Sequence, residues 1–217
     1  LLLVDASPSM ALGGGRKLAA AAAGAAALAR LALVTGHPVY AARYAERLLD
    51  VGGPWRGPDG FAAAQAFLAG APPSAGAGTD LGRALEALLS GRQRPCCLVA
   101  LTDGFQETAL TAAAGAALAR GARRVVIVRI LDPTDAAPRL RGRTLLRDPE
   151  GSGTREIFAD HALEASARAR IAEHFDRLGE GLRRLHVPLH ELRAPAPFEE
   201  AFLDLLRGAP APAGRVA

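Results

Sequence analysis

Short apolar runs that end at polar residues punctuate this chain. Leu1 to Val4 is continuously apolar and stops at Asp5, with Ser7 and Ser9 following at every second position. A run of this kind predicts a buried strand whose carboxyl end delivers polar groups to a crevice. Cys96 to Leu101 repeats the pattern and leads into Thr102-Asp103-Gly104. The most β-rich stretch, Arg124 to Leu131 (RVVIVRIL), predicts a third buried strand, while His37 to Tyr44 and Arg47 to Val51 predict antiparallel neighbours. Val187 to Leu192 reads as a last strand.

Between these runs the period lengthens to that of helices. Arg16 to Val34 predicts a long helix that ends at Thr35-Gly36, Gly being favoured just past a helix terminus. Phe61 to Leu68, Gly82 to Leu89, Glu107 to Arg120, Ala162 to Leu185 and Phe198 to Leu206 predict the others, with Asp80 as the N-cap that leaves Thr79 on the preceding loop. Gly13-Gly14-Gly15, Pro54 to Gly60 and Gly70 to Gly78 read as turn and loop. Arg143 to Leu146 and Arg155 to Phe158, around Asp148-Pro149-Glu150-Gly151, read as an added hairpin within 138–158. Strands alternating with helices predict an α/β fold: a doubly wound, mostly parallel sheet flanked by helices, with parallel strand ends on one edge.

Length and composition refine this picture. At 217 residues the chain suits one domain over 1–207, followed by a disordered Pro/Ala tail over 208–217. Its abrupt start inside a strand reads as a fragment of a longer protein. Aromatic residues make up only 5%, too few for a base-stacking platform, so nucleic acid is not the expected partner. The formal charge is +4, carried almost wholly by Arg, with Lys17 the single Lys. Arg120, Arg123, Arg124, Arg139, Arg141, Arg143 and Arg147 cluster along the sequence and read as a solvated rim, the alternative being a surface for an acidic partner. Cys96 and Cys97 read as reduced, buried small residues, since strand neighbours point to opposite faces. Leu18 to Val34, mostly Ala with Gly24 and Arg30, reads as too weakly apolar for a membrane span, and no signal peptide is evident. A cytoplasmic domain is the expectation.

The candidate chemistry lies at the strand ends. Asp5, Ser7 and Ser9 follow the first strand, Thr79 lies in a Gly-rich loop and Asp103 follows the strand of Cys96 to Leu101. Hydroxyls with only two carboxylates form a hard-oxygen set that suits Mg²⁺, with Mn²⁺ or Ca²⁺ as substitutes. Neutral ligands leave such an ion electron-poor and ready to accept a carboxylate from another protein. An ordinary Asx and Ser turn over Asp5 to Ser9 is the simpler alternative. Gly13-Gly14-Gly15-Arg16-Lys17 imitates a phosphate loop, but Leu18 stands where Ser or Thr would bind Mg²⁺. Position 7 is Ser rather than the second Asp of an aspartyl-nucleophile phosphatase, and no Gly-x-Ser-x-Gly elbow occurs. His37, His161, His174, His186 and His190 are scattered, Pro188 breaking any helix between the last two. Asp132-Pro133 and Asp148-Pro149 read as turn formers.

Asp-x-Ser-x-Ser, Gly78-Thr79-Asp80-Leu81 and Thr102-Asp103-Gly104 together resemble the metal-ion-dependent adhesion site of von Willebrand factor A domains. The resemblance implies direct ligation by Ser7, Ser9 and Thr79 and largely water-mediated or alternating ligation by Asp5 and Asp103. Asp-x-Ser-x-Ser-Met, a basic residue opening the first helix, Arg129 to Pro133 and Asp148-x-Glu150 also resemble the bacterial DUF58 family. That likeness implies an upstream membrane tether or further domain and a MoxR-type AAA+ ATPase as partner. The reading is a non-enzymatic, metal-dependent protein-interaction domain that captures an Asp or Glu of its partner. The alternatives are a Mg²⁺-dependent phosphohydrolase and a structural module whose metal site is vestigial.

Overall fold

The structure is a computed structural model and describes residues 1–70, 78–89, 96–136, 141–151, 153–194, 202–203 and 206–207. In chain order its strands are β1 (Leu2–Asp5), β2 (Val39–Tyr44), β3 (Leu48–Trp55), β4 (Cys97–Thr102), β5 (Arg124–Leu131), β6 (Gly142–Arg147), β7 (Thr154–Ala159) and β8 (Leu189–Arg193). The helices are α1 (Pro8–Ala11), α2 (Arg16–Val34), α3 (Phe61–Ala69), α4 (Leu81–Leu89), α5 (Glu107–Ala119), α6 (Pro133–Ala136) and α7 (His161–Arg184).

Six strands form one sheet in the order β3-β2-β1-β4-β5-β8, and only the β2–β3 pair is antiparallel. The chain builds outward from β1 on one side through β2 and β3, then resumes on the other side with β4. The strand order therefore reverses between β1 and β4, which places a crevice at the carboxyl ends of those two strands. Asp5 ends β1 and Thr102 ends β4, with Asp103 next, so the polar residues meet at this reversal.

Alternation along the central strands divides the core into two layers. Leu2 and Val4 of β1, Leu101 of β4 and Val128 and Ile130 of β5 face α2 and α3, where Ala21, Ala25, Ala29, Leu33, Ala64 and Leu68 are buried. Leu3, Leu98, Ala100 and Ile127 face the other way, onto Leu81 and Leu85 of α4, Leu110 of α5 and Leu178 of α7. The Ala face of α2 allows a close approach to the sheet: a Cβ on Gly24 would stand 3.0 Å from Leu192 Cδ2.

The structure extends or corrects several sequence expectations. β3 continues to Trp55 rather than yielding to loop at Pro54, and a single 3₁₀ turn spans Pro58–Gly60. Cys96 and Cys97 are both exposed rather than buried, because β4 begins only at Cys97, outside the covered part of the sheet. Helix α2 is long and apolar enough to cross a membrane by length and composition, against the expectation for Leu18 to Val34; here its Ala stripe packs on the sheet. The hairpin of 138–158 forms as β6–β7, a separate two-stranded antiparallel sheet. Arg120, Arg123, Arg124, Arg141, Arg143 and Arg147 are exposed, as a rim would be. The loop expected over Gly70 to Gly78, Arg139, the helix over Phe198 to Leu206 and the tail over 208–217 lie largely or wholly outside the described residues.

Candidate metal centre

Asp5 is fully buried at the end of β1, and both its oxygens are engaged. Oδ1 accepts the Ser7 backbone N–H at 2.9 Å, and Oδ2 accepts the Thr102 hydroxyl at 2.7 Å. The Tyr44 hydroxyl also lies against Asp5 and Thr102; burial, reinforced by the Asp5 charge, pushes it well above its usual pKa and keeps it protonated. Both oxygens of this side chain are thus taken up by the protein itself.

Ser7 has an extended backbone (φ −66°, ψ 161°) immediately before α1, and Pro8 starts that helix. Pro is well placed there because its missing N–H has no intrahelical partner to lose. The Ser7 hydroxyl makes no cap bond to α1; instead it lies 3.0 Å from the Ser9 hydroxyl. Half of the simple-turn alternative therefore holds, since Asp5 does form an Asx turn onto Ser7. The two hydroxyls, however, face each other rather than the helix terminus. Ser9 lies on α1, a one-turn helix that periodicity did not reveal.

Thr79 stands just ahead of α4, as expected. The Asp80 N–H donates to the Ala45 carbonyl at 2.9 Å, docking the loop on the end of β2, and Asp80 Oδ1 accepts the Arg83 N–H at 2.9 Å, capping α4. The Gln106 side-chain amide donates to the Thr79 carbonyl, tying this loop to the one that carries Asp103. The Thr79 hydroxyl donates to Glu150 Oε1 at 2.6 Å, a partner in the β6–β7 turn.

Asp103 is 4% exposed and receives the Lys17 ammonium at 3.0 Å, the same ammonium lying 2.8 Å from Asp135 Oδ2. Sequence reasoning set Lys17 aside with the imitation phosphate loop. In the fold three successive glycines with positive φ, Gly13, Gly14 and Gly15, lead into α2 and turn Lys17 inward, away from any phosphate. Burial alone would pull the Lys17 pKa down, but Asp103 and Asp135 together drive it up, so it is a permanent cation. Asp132, expected only as a turn former, is also buried, caps α6 through Thr134 and accepts Arg16 Nε at 3.0 Å.

Charge at this edge remains unbalanced. Asp103 and Asp135 share one ammonium while Asp5 has the Ser7 N–H and the Thr102 hydroxyl, and burial followed by repulsion from Asp103 raises the Asp5 carboxyl to about 7. A divalent cation between the two carboxylates would relieve that repulsion. Among the described residues no group of three or more His, Cys, Asp or Glu is placed to hold a metal. Any ion here would therefore depend on the hydroxyls of Ser7, Ser9 and Thr79, a donor set that fits Mg²⁺ or Mn²⁺ and excludes a thiophilic or imidazole-seeking metal. A groove of about 1020 Å³ between α5 and α7 is lined by none of the five residues. It is not the site of this chemistry.

Three residues named in the sequence were not assigned to the site: Lys17, Thr102 and Glu150, the last only as part of the Asp148-x-Glu150 motif. Lys17 had one signal, as the sole Lys of an Arg-rich chain; Thr102 had its place beside Asp103.

Comparisons with known proteins agree with this architecture. The conserved hypothetical protein BatB from Bacteroides thetaiotaomicron is similar at 17% identity and a TM-score of 0.51, covering 96% of this chain and 97% of that one. An aerotolerance-related membrane protein from Bacteroides fragilis has the same identity and TM-score over 95% and 96% of the two chains. Proximal thread matrix protein 1 from the mussel byssus is 16% identical with a TM-score of 0.53, over 95% of this chain but 43% of its own. At these identities the likeness is one of fold. No curated protein matches. The family described as "Protein of unknown function DUF58" matches residues 1–178, so this chain belongs to the DUF58 family.

Proposed function

We propose that the domain is a von Willebrand A-like interaction module in which Ser7, Ser9 and Thr79, backed by Asp5 and Asp103, hold a divalent cation that captures an acidic side chain of a partner protein. The observation that carries this reading is the pair of buried carboxylates, Asp5 and Asp103, set beside two hydroxyls that serve no helix cap. The cation chemistry is electrostatic: one orientable contact to a carboxylate, with the surrounding loops setting specificity. Asp5 is locked by Ser7 and Thr102 and orients; the hydroxyls bind. Asp5 is bonded through both its oxygens and Asp103 is paired with Lys17, which favours docking over phosphohydrolysis. By family resemblance the partner is a MoxR-type AAA+ ATPase or its client. The Bacteroides fragilis protein is described as a membrane protein, and by that likeness the domain works beside a membrane.

One observation favours a second reading. The Lys17 ammonium already pairs with Asp103 and Asp135, and a built-in cation would make the domain a metal-free structural module. Affinity capture from the source lysate, in Mg²⁺ and in chelator, separates the two. The first reading expects a partner retained only with Mg²⁺ and lost in a Ser7→Ala, Ser9→Ala double variant. Capture that is indifferent to chelator and to the double variant supports the second.

A further inference from the structure

The β6–β7 hairpin ends in a turn whose geometry is specified in detail. Asp148 Oδ1 accepts the Glu150 N–H at 2.9 Å, and the Asp148 N–H donates to the Gly153 carbonyl at 2.9 Å. Gly151 sits so close that a Cβ there would come within 2.7 Å of Asp148 Oδ2. This turn projects Glu150 onto Thr79, 71 positions earlier in the chain, where Oε1 accepts the hydroxyl hydrogen at 2.6 Å.

A Thr hydroxyl has one hydrogen and two acceptor lone pairs. Glu150 takes the hydrogen, which leaves the oxygen's lone pairs for a cation and sets a carboxylate one hydroxyl away from the ion. We propose that Glu150 stands in the approach of the partner's acidic side chain and, once a cation is bound, exchanges its bond to the Thr79 hydroxyl for the ion as an internal carboxylate ligand, so that the hairpin holds the free domain closed and a partner must displace it. The proposal rests on the cation-dependent docking described above.

The rest of the hairpin fits an element that can swing away. Within β6 and β7 only Ala159 is buried, and Leu145 and Phe158 are 68% and 77% exposed. Few buried apolar contacts mean that the hairpin can open without disturbing the main sheet. Its strands stay paired through their own ladder and through the Arg143–Glu156 ion pair, so the unit moves as a body. Tethering also gives Glu150 a high effective concentration at Thr79, which lowers the apparent affinity of any external carboxylate by the fraction of time the site stands open.

The test titrates Mn²⁺, and then acetate in the presence of Mn²⁺, into the full chain by calorimetry, for wild type, Glu150→Gln and Thr79→Ala. Glu150 lies on a turn, and circular dichroism checks that its variant keeps the wild-type fold. The expected result is that Glu150→Gln binds Mn²⁺ no more tightly than wild type yet binds acetate about tenfold more tightly, as for a site open about one-tenth of the time. Equal acetate affinity in wild type and Glu150→Gln, with Mn²⁺ bound by both, overturns the internal ligand and leaves the docking function standing. Absence of Mn²⁺ binding in wild type and both variants overturns the docking function, and the internal ligand falls with it.

Discussion

Asp5 is the residue on which the electrostatics of this edge turn. An ordinary Asp ionises near 3.9, whereas burial and the neighbouring Asp103 raise Asp5 to about 7. Between those two values the folded protein holds a proton that the unfolded chain has lost, so unfolding releases it and stability falls as pH rises. In chelator, the wild-type protein is expected to lose on the order of a few kcal/mol between pH 4 and pH 8 from this group, and Asp5→Asn to remove that part of the slope; denaturant melts at a series of pH values measure it. Lys17 offsets the negative charge beside it. Its removal leaves Asp103 and Asp135 sharing a buried site without a cation, and loss of one partner of a buried ion pair costs about 3–5 kcal/mol. Lys17→Met is expected to show that loss in chelator and to regain part of it in Mg²⁺. A melt unaffected by the substitution would show that the ammonium does not balance this edge.

At the level of elements, loops set the site and strands support it. Thr79 hangs on a loop pinned by Asp80 and Gln106, so the hydroxyl can be deleted with the scaffold intact. Thr79→Ala is expected to cost about 1 kcal/mol of stability, the scale of one hydrogen bond, while lowering Mn²⁺ affinity at least tenfold in calorimetry. A variant that fails to fold contradicts this. The turn before α2 is stricter: Gly15 has φ +75° at the helix entrance, where a side chain costs about 1–2 kcal/mol, and Gly15→Ala is expected to lose that amount in a urea melt. Much of this level was legible in the sequence. The strands, α2 to α5 and α7, the β6–β7 hairpin and the Asp80 cap follow from local period and capping chemistry, and Asp5, Ser7, Ser9, Thr79 and Asp103 fall on the expected side of their elements. What was not legible is long-range pairing. Lys17 to Asp103, Thr102 to Asp5 and Thr79 to Glu150 span 86, 97 and 71 positions, and no local pattern encodes a partner that far away. The one-turn helix α1 was hidden for a different reason, being shorter than the period that would reveal it. Cys96 and Cys97 misled because the apolar run starts before its strand becomes covered, Cys96 preceding β4 and Cys97 opening it exposed.

At the scale of the whole molecule, the sheet order explains why separate segments converge. The reversal between β1 and β4 brings Asp5 and Asp103 together at the strand ends, and α2 supplies Lys17 to Asp103. The sheet and α2 pack closely through Ala; the hairpin forms a separate sheet. Binding at this edge should therefore stabilise the whole domain, because the proposed ligands come from β1, α1, the loop before α4 and the end of β4. The measurement that tests the central claim most directly is the melting temperature in chelator, Mg²⁺ and Mn²⁺ for wild type and the Ser7→Ala, Ser9→Ala double variant. A ligand at about a hundredfold excess over Kd adds about 2.7 kcal/mol, or roughly 5–10 °C for a domain of this size. The account predicts a rise of that order in wild type and none in the double variant. No rise in wild type, or an equal rise in both proteins, would contradict it.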